Sequence, residues 1–127
     1  GDLDCLLVDL PPGTARLQDL AELAGTGTAV VAVTIPTDES LRAVRRALRA
    51  AVDAGLPVLG VVENMRGTVC TGCGAEGPLF PGDAGDTLAA EFDVPLLARI
   101  PFRPGAAPTE TPLDALADAV TRLEARA

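Results

Sequence analysis

The chain has 127 residues, the length of one typical domain, and a domain of this size buries roughly two-thirds of the surface that its unfolded form exposes. Hydrophobic residues make up 48% of the sequence, yet no apolar run approaches the ~20 residues that span a bilayer. The net charge is -8 and there is no His, which argues against the basic surface that nucleic-acid binding requires. We expect a soluble single domain, residues 1–127, with no nucleic-acid or membrane partner.

Cysteine usage and the N-terminus bear on the compartment. The chain contains three Cys, an odd number, and its first residues lack the basic-then-apolar layout of a signal peptide. This combination favours a reducing, cytoplasmic setting. The chain begins with Gly1 rather than Met, so we expect a fragment or processed piece of a longer protein, although cloning could produce the same start.

The first predicted element is a short strand. Residues 3–8 are mostly apolar and are closed by Asp9 and the turn sequence Pro11-Pro12-Gly13, a pattern typical of a buried strand before a tight turn. Cys5 lies inside this run, so we expect it to be a core residue.

The rest of the chain alternates between helical and strand patterns. In chain order these predict a helix starting at Leu17, a strand over 28–35, a helix from the cap at 37–40 to Gly55, a strand over 57–62, a helix over 83–92, a strand over 96–100 and a helix over 113–123. This order implies right-handed βαβ units, and therefore an α/β fold with a mostly parallel sheet and helices on both faces. With three Phe and no Trp or Tyr, the core is aliphatic, which suits strands buried on both faces.

Ligands of such sheets bind at the carboxyl ends of the strands. The residues at those ends are Asp9, Pro36, Glu63, Asn64 and Pro101. Asp9 is suited to hold a magnesium ion on nucleotide phosphates, directly or through water, or simply to cap the turn. Asn64 is suited to donate to and accept from a purine edge, or to form an ordinary strand-end turn.

Residues 65–82 form the longest stretch without periodicity, and they are rich in Gly, Cys and Pro. Long loops in compact domains are usually functional or disordered. This Cys-containing loop carries Cys70 and Cys73 in a C-x-x-C spacing, which lets two thiolates reach one metal centre. Two thiolates are half of a tetrahedral site, so the motif is either a redox pair or half of a site bridging two chains. Its position in mid-loop favours the bridging site, because a thioredoxin-like pair lies at a helix start.

Three motifs in this order resemble one family. The segments 8–14 (VDLPPGT), 62–65 (VENM) and 70–74 (CTGCG) are similar to the Mrp/ApbC/Nbp-type branch of the MinD-like P-loop ATPases. The resemblance covers most of the chain and implies part of a P-loop NTPase fold. It also implies a homodimeric ATPase that assembles iron–sulfur clusters or transfers them to apo iron–sulfur proteins.

The resemblance also implies roles for particular residues. Cys70 and Cys73 of each subunit would hold a shared [4Fe–4S] cluster. Asp9 would be the catalytic acidic residue of the second nucleotide motif, near Mg²⁺, and Gly13 the switch that senses the γ-phosphate of ATP. Asn64 would contact the adenine, and Pro101 would border the base.

The sequence departs from the family pattern in two places. Ala15-Arg16 follows Pro-Pro-Gly-Thr where the family usually has Gly-Asp, so switch behaviour or hydrolysis is expected to change. No G-x-x-x-x-G-K-[ST] loop occurs, and Gly25-Thr26-Gly27 is not followed by Lys. Because the amides and Lys that cradle phosphates are missing, this chain alone is not expected to hold ATP tightly or to be an active hydrolase.

Two other functions fit the same residues. A degenerate family member would be a zinc-stabilised dimerisation or scaffold module, since Zn²⁺ also accepts four thiolates. A MinD/ParA-like partitioning or membrane-cycling ATPase shares the fold. It is disfavoured because the terminal helix is acidic and Ala-rich, unlike the basic amphipathic helices that lie on membranes.

Overall fold

The structure, a computed structural model, describes residue 3 and residues 5–11, 17–24, 27–102 and 114–124. Its elements are α1 (Leu17–Ala24), β1 (Val30–Thr34), α2 (Asp38–Asp53), β2 (Val58–Val69), β3 (Glu76–Gly77), α3 (Ala84–Phe92), β4 (Leu96–Phe102) and α4 (Asp114–Glu124). The predicted order of helices and strands from Leu17 onward is confirmed except for β3, which was not predicted. Among the described helices, none is long and apolar enough to cross a bilayer.

Strand β2 is the centre of the sheet. It pairs in parallel with β1 on one edge and with β4 on the other, and its end pairs antiparallel with β3. Thr68 pairs with Gly77 of β3 on one side and with Phe102 of β4 on the other. β3 therefore lies along the same edge of β2 as β1. The sheet is mixed but mostly parallel, as predicted.

Helices cover both faces of this sheet. Val61 packs with Leu48 of α2 and Leu88 of α3 on one face. The next residue, Val62, packs with Ala119 of α4 on the other, because successive strand side chains point to opposite faces. The predicted α/β fold with aliphatic strands buried on both faces is therefore confirmed.

Local signals explain why α2 is the best-predicted element. Thr37 is its N-cap, and the Thr37 hydroxyl accepts a hydrogen bond from the Ser40 amide at 3.2 Å.

Surface ion pairs join α2 to α3: Glu91 accepts from Arg45 at 2.6 Å and from Arg49 at 2.9 Å. The hydrogen bond from Arg45, followed by that from Arg49, lowers the pKa of Glu91.

The predicted strand over residues 3–8 is wrong. Residue 3 and residues 5–8 form no strand, and Leu3, Leu6 and Leu7 are 75%, 73% and 83% exposed. An apolar run becomes a buried strand only if another strand pairs with it and helices cover it, and no described strand does so. Cys5 is therefore exposed, not a core residue.

Two predicted strand ends are also wrong. β2 continues through Glu63 and Asn64 to Val69, so the first part of the segment 65–82 is strand rather than loop. β3 lies within the same segment and completes a hairpin. β4 runs past Pro101 to Phe102. In each case pairing with a distant strand extends the element beyond residues that locally resemble a turn.

Candidate functional site

The C-x-x-C motif lies at the tip of the β2–β3 hairpin. The Cys70 amide donates to the Ala75 carbonyl at 2.9 Å, and the Gly74 amide donates to the Cys70 carbonyl at 2.9 Å. Gly74 has a φ of +72°, a conformation that favours glycine. These two hydrogen bonds close the loop between Cys70 and Ala75, so both cysteines lie on a short, defined turn. We call residues 67–77 the cysteine hairpin.

Both thiols of this hairpin are free and exposed. The backbone N–H of Cys73, then that of Gly72, and then the Cys73 side chain hydrogen-bond the Cys70 sulfur and lower the pKa of Cys70. A thiolate, not a thiol, is the form that binds metals and attacks electrophiles. The turn therefore favours the thiolate form of Cys70 in an accessible position.

The metal-ligand role of Cys70 and Cys73 stays a prediction, and the pair amounts to two ligands. Among the described residues, no group of three or more Cys, His, Asp or Glu is placed to hold a metal ion. A thiolate metal centre of the zinc or iron–sulfur kind usually has four protein ligands. The geometry thus matches half of such a centre, open to ligands from another molecule.

We expect Cys70 to react as a thiolate at lower pH than an ordinary cysteine. In a Cys5→Ala background, alkylation of Cys70 by iodoacetamide should reach its half-maximal rate at a lower pH than in a free peptide of sequence 68–75. The reason is that a lowered pKa raises the thiolate fraction at every pH below the ordinary value. Mass spectrometry of the alkylated peptides measures the rate, and equal midpoints for protein and peptide would contradict the role of the turn.

Glu63 is the most deeply buried charged residue that the structure describes, with a side chain that is 0% exposed. Its Oε1 accepts a hydrogen bond from the Gly85 amide at 2.8 Å, in the first turn of α3. A carboxylate is favoured there because the helix N-terminus carries partial positive charge. Glu63 therefore occupies this helix end as an internal anion and fastens α3 to the central strand.

Arg66 lies on the other side of the same carboxylate. Its Nε is 3.2 Å from Glu63 Oε2, an ion-pair contact without the alignment of a hydrogen bond. Its guanidinium also donates to the Gly82 carbonyl at 2.9 Å. This pair was not predicted from the sequence, where the available signal is a Glu that ends a run of aliphatic residues and is followed three positions later by Arg.

The predicted adenine contacts lie together at one end of the sheet. Asn64 on β2 is opposite Ile100 on β4, and Pro101 is the next residue of β4. The Asn64 Oδ1 accepts a hydrogen bond from the Met65 amide at 2.9 Å. An amide oxygen has two lone pairs and the amide nitrogen has two hydrogens, so Asn64 keeps groups that suit a purine edge. Its adenine contact stays a prediction.

Asp9 and Gly13 are the other residues predicted to take part in nucleotide binding. Asp9 is exposed and outside any strand, and its magnesium role stays a prediction. Gly13 and the Ala15-Arg16 departure lie outside the described residues. All ten basic residues of the chain are Arg, so its sequence contains no lysine for a phosphate loop.

Comparison with known proteins places the hairpin and the sheet in a family. The sequence profile of the ParA family, described as NUBPL iron-transfer P-loop NTPase, matches residues 1–121. An iron–sulfur cluster carrier protein from Pseudomonas fragi is 40% identical over 102 residues, which cover 80% of this chain and 35% of that protein.

A solved structure has the same fold. The nucleotide-binding protein from Archaeoglobus fulgidus, in complex with ADP and with Co found by PIXE, matches with a TM-score of 0.64 and 30% identity over 100% of this chain and 49% of that one. This chain therefore spans 35% of the length of the first relative and 49% of the second. On this evidence the chain belongs to the NUBPL iron-transfer P-loop NTPases, the family of the iron–sulfur cluster carriers.

Proposed function

We propose that this chain is the C-terminal part of an iron–sulfur cluster carrier, and that Cys70 and Cys73 of two subunits hold a shared [4Fe–4S] cluster as cargo. The observation that carries the proposal is the cysteine hairpin: two free, exposed thiols on one turn whose amides stabilise the Cys70 thiolate. Four thiolates complete a cluster site, and two such hairpins supply four. Membership of an iron-transfer family supports the same cargo.

In the longer protein, ATP binding and hydrolysis with Mg²⁺ would be coupled to cluster handling. This chain would contribute Asn64 and Pro101 beside the base, Gly13 near the γ-phosphate and Asp9 near the metal. The phosphate loop has to come from outside the present sequence, because its amides and lysine cradle the phosphates. The nucleotide supplies binding and hydrolysis energy; the residues of this chain bind and orient it.

The partners follow from the same chemistry. A bridged cluster requires a homodimer, and an exposed cluster at a hairpin tip is accessible to the cysteines of an apo iron–sulfur protein. The acidic chain, with a net charge of -8, is not suited to bind nucleic acid, and we propose a cytoplasmic location without a membrane partner.

Anaerobic reconstitution tests the cluster proposal. The chain, incubated with ferrous iron and sulfide, should turn brown, contain about four irons per dimer and elute as a dimer. Cys70→Ala and Cys73→Ala should each abolish colour and dimer, because each variant leaves only two thiolates, one from each subunit, for the shared cluster. Cys5→Ala is the matched control, since it removes an exposed cysteine outside the hairpin and should behave as the original chain.

Metal analysis separates the cluster from its alternative. A zinc-stabilised dimerisation module would use the same four thiolates and needs no nucleotide. Protein purified without oxygen that contains about one zinc per dimer and no iron would support that module. A colourless monomer in which all three cysteine variants behave alike would rule out both metal-bridged functions.

A further inference from the structure

We infer that Arg66 is a positioning residue for Cys70 and Cys73: it closes the base of the cysteine hairpin and anchors that base to the buried carboxylate of Glu63. This positioning role rests on the proposed function, in which Cys70 and Cys73 are the cluster ligands. No covalent or redox step is involved.

The hairpin itself has few contacts to hold it. β3 has two residues, only Thr68 and Val69 of β2 pair with it, and Thr68 is also the one hairpin residue that pairs with β4 in the described sheet, opposite Phe102. A two-stranded hairpin is marginally stable in water by itself. The orientation of its tip therefore depends on what holds its base.

Arg66 holds the base of the hairpin through a hydrogen bond to a residue on the other side of the hairpin in sequence. It precedes the hairpin, whereas Gly82 follows it, and the two residues are sixteen positions apart. The hydrogen bond from the Arg66 guanidinium to the Gly82 carbonyl, at 2.9 Å, joins the outgoing and returning chain. The Gly82 amide in turn donates to the Pro36 carbonyl at 3.2 Å, which ties the returning chain to the segment after β1.

Glu63 joins this closure to the core. Its carboxylate contacts Arg66 with Oε2 and the first turn of α3 with Oε1. Alternation along an ideal strand would place residues 63 and 66 on opposite faces. Met65 has a φ of +56°, and the register with β4 shifts between Asn64 and Thr68. β2 is therefore irregular between residues 64 and 68. At this irregularity the side chains of Glu63 and Arg66 are in contact, which the alternation of a regular strand would prevent.

The close packing around this base leaves little room for adjustment. A Cβ atom on Gly82 would lie 2.5 Å from the Pro36 carbonyl oxygen, and one on Gly67 would lie 2.8 Å from the Gly77 carbonyl oxygen. Backbone segments therefore meet directly at Gly82, whose carbonyl accepts from Arg66, and at Gly67, the residue after Arg66. Loss of the arginine should loosen the base rather than be absorbed by other side chains.

Hydrogen exchange of the apo chain tests this positioning directly. In Arg66→Gln, the amides of Cys70 and Gly74, which close the hairpin tip, should exchange about tenfold faster than in the original chain. Arg99→Gln is the matched control. Arg99 is an exposed arginine on the neighbouring strand β4, and it pairs with Asp86 of α3 rather than with the hairpin. It should leave both amides unchanged.

Cluster retention provides the second measurement. After reconstitution, Arg66→Gln should lose iron to a ferrous chelator about tenfold faster than the original chain, as is typical when residues that orient metal ligands are removed. Arg66→Lys keeps the charge but lacks the planar fork that reaches both partners, so it should fold and give an intermediate rate. It also keeps the test usable if Arg66→Gln does not fold.

The outcomes separate the two proposals. If the original chain takes up no cluster, the proposed function fails, whereas hydrogen exchange still decides the role of Arg66. If the hairpin amides exchange at the original rate in folded Arg66→Gln, or in folded Arg66→Lys when Arg66→Gln does not fold, the positioning role is overturned.

Discussion

Replacing Glu63 with alanine should lower the free energy of unfolding by about 2–4 kcal/mol, because the buried Gly85 amide loses its acceptor and the removed side chain leaves a cavity. The substitution removes the acceptor of the Gly85 amide, the partner of Arg66 and the volume of a fully buried side chain. Urea unfolding followed by far-ultraviolet circular dichroism measures the loss, because the chain contains no Trp or Tyr for fluorescence.

Two variants make this prediction specific. Glu63→Gln keeps the shape and the acceptor for Gly85, so it should lose less stability than Glu63→Ala. Glu39→Ala removes a glutamate from an exposed contact with Arg42, and exposed pairs contribute about 0–1 kcal/mol. If Glu63→Ala lost no more stability than Glu39→Ala, the burial of Glu63 and its contact with the helix end would not contribute to the free energy of unfolding.

Gly60→Ala should cost about 3 kcal/mol, because overpacking and an unfavourable backbone act at the same residue. Gly60 has a φ of +156°, and a Cβ atom there would lie 2.5 Å from the Pro95 carbonyl oxygen and 2.7 Å from Leu97 Cγ. The Pro95 carbonyl also accepts from the Val61 amide at 2.9 Å, so it is held in place. The glycine lets the segment before β4 approach the central strand.

Gly77→Ala is the matched control for this substitution. Gly77 is also a strand glycine, but a Cβ atom there would meet nothing within 4 Å. The same urea titration should show a change of at most about 0.5 kcal/mol for Gly77→Ala. Similar losses at the two glycines would mean that close packing is not what requires Gly60.

The two stability predictions and the proposed site involve one strand. β2 carries Gly60 at its start, Glu63 and Asn64 in its middle, and Cys70 just after its end. A nucleotide contact at Asn64 and a cluster at Cys70 would therefore be joined by continuous strand, with Arg66 between them. This arrangement offers a physical route by which a change at one site reaches the other.

The sequence determined α2 and the cysteine motif through local signals. The cap at Thr37 and the apolar residues at three- and four-residue steps act within one helix, so neighbouring residues contain the information. The spacing of Cys70 and Cys73 likewise brings two thiols to one turn without any distant contact. Family membership also follows from short ordered motifs, which the sequence comparison confirms.

Only the tertiary structure decided where the strands end and which residues are buried. Residues 3–8 have a strand pattern, but residue 3 and residues 5–8 are exposed because no described strand pairs with them, whereas residues 65–69 have a loop composition but extend β2 into the β-hairpin. The carboxylate of Glu63 is buried because α3, twenty-two residues later, offers an amide to it. Arg66 meets Gly82 only once the chain has returned. Strand pairing and charge burial depend on partners far away in sequence, and local patterns do not contain that information.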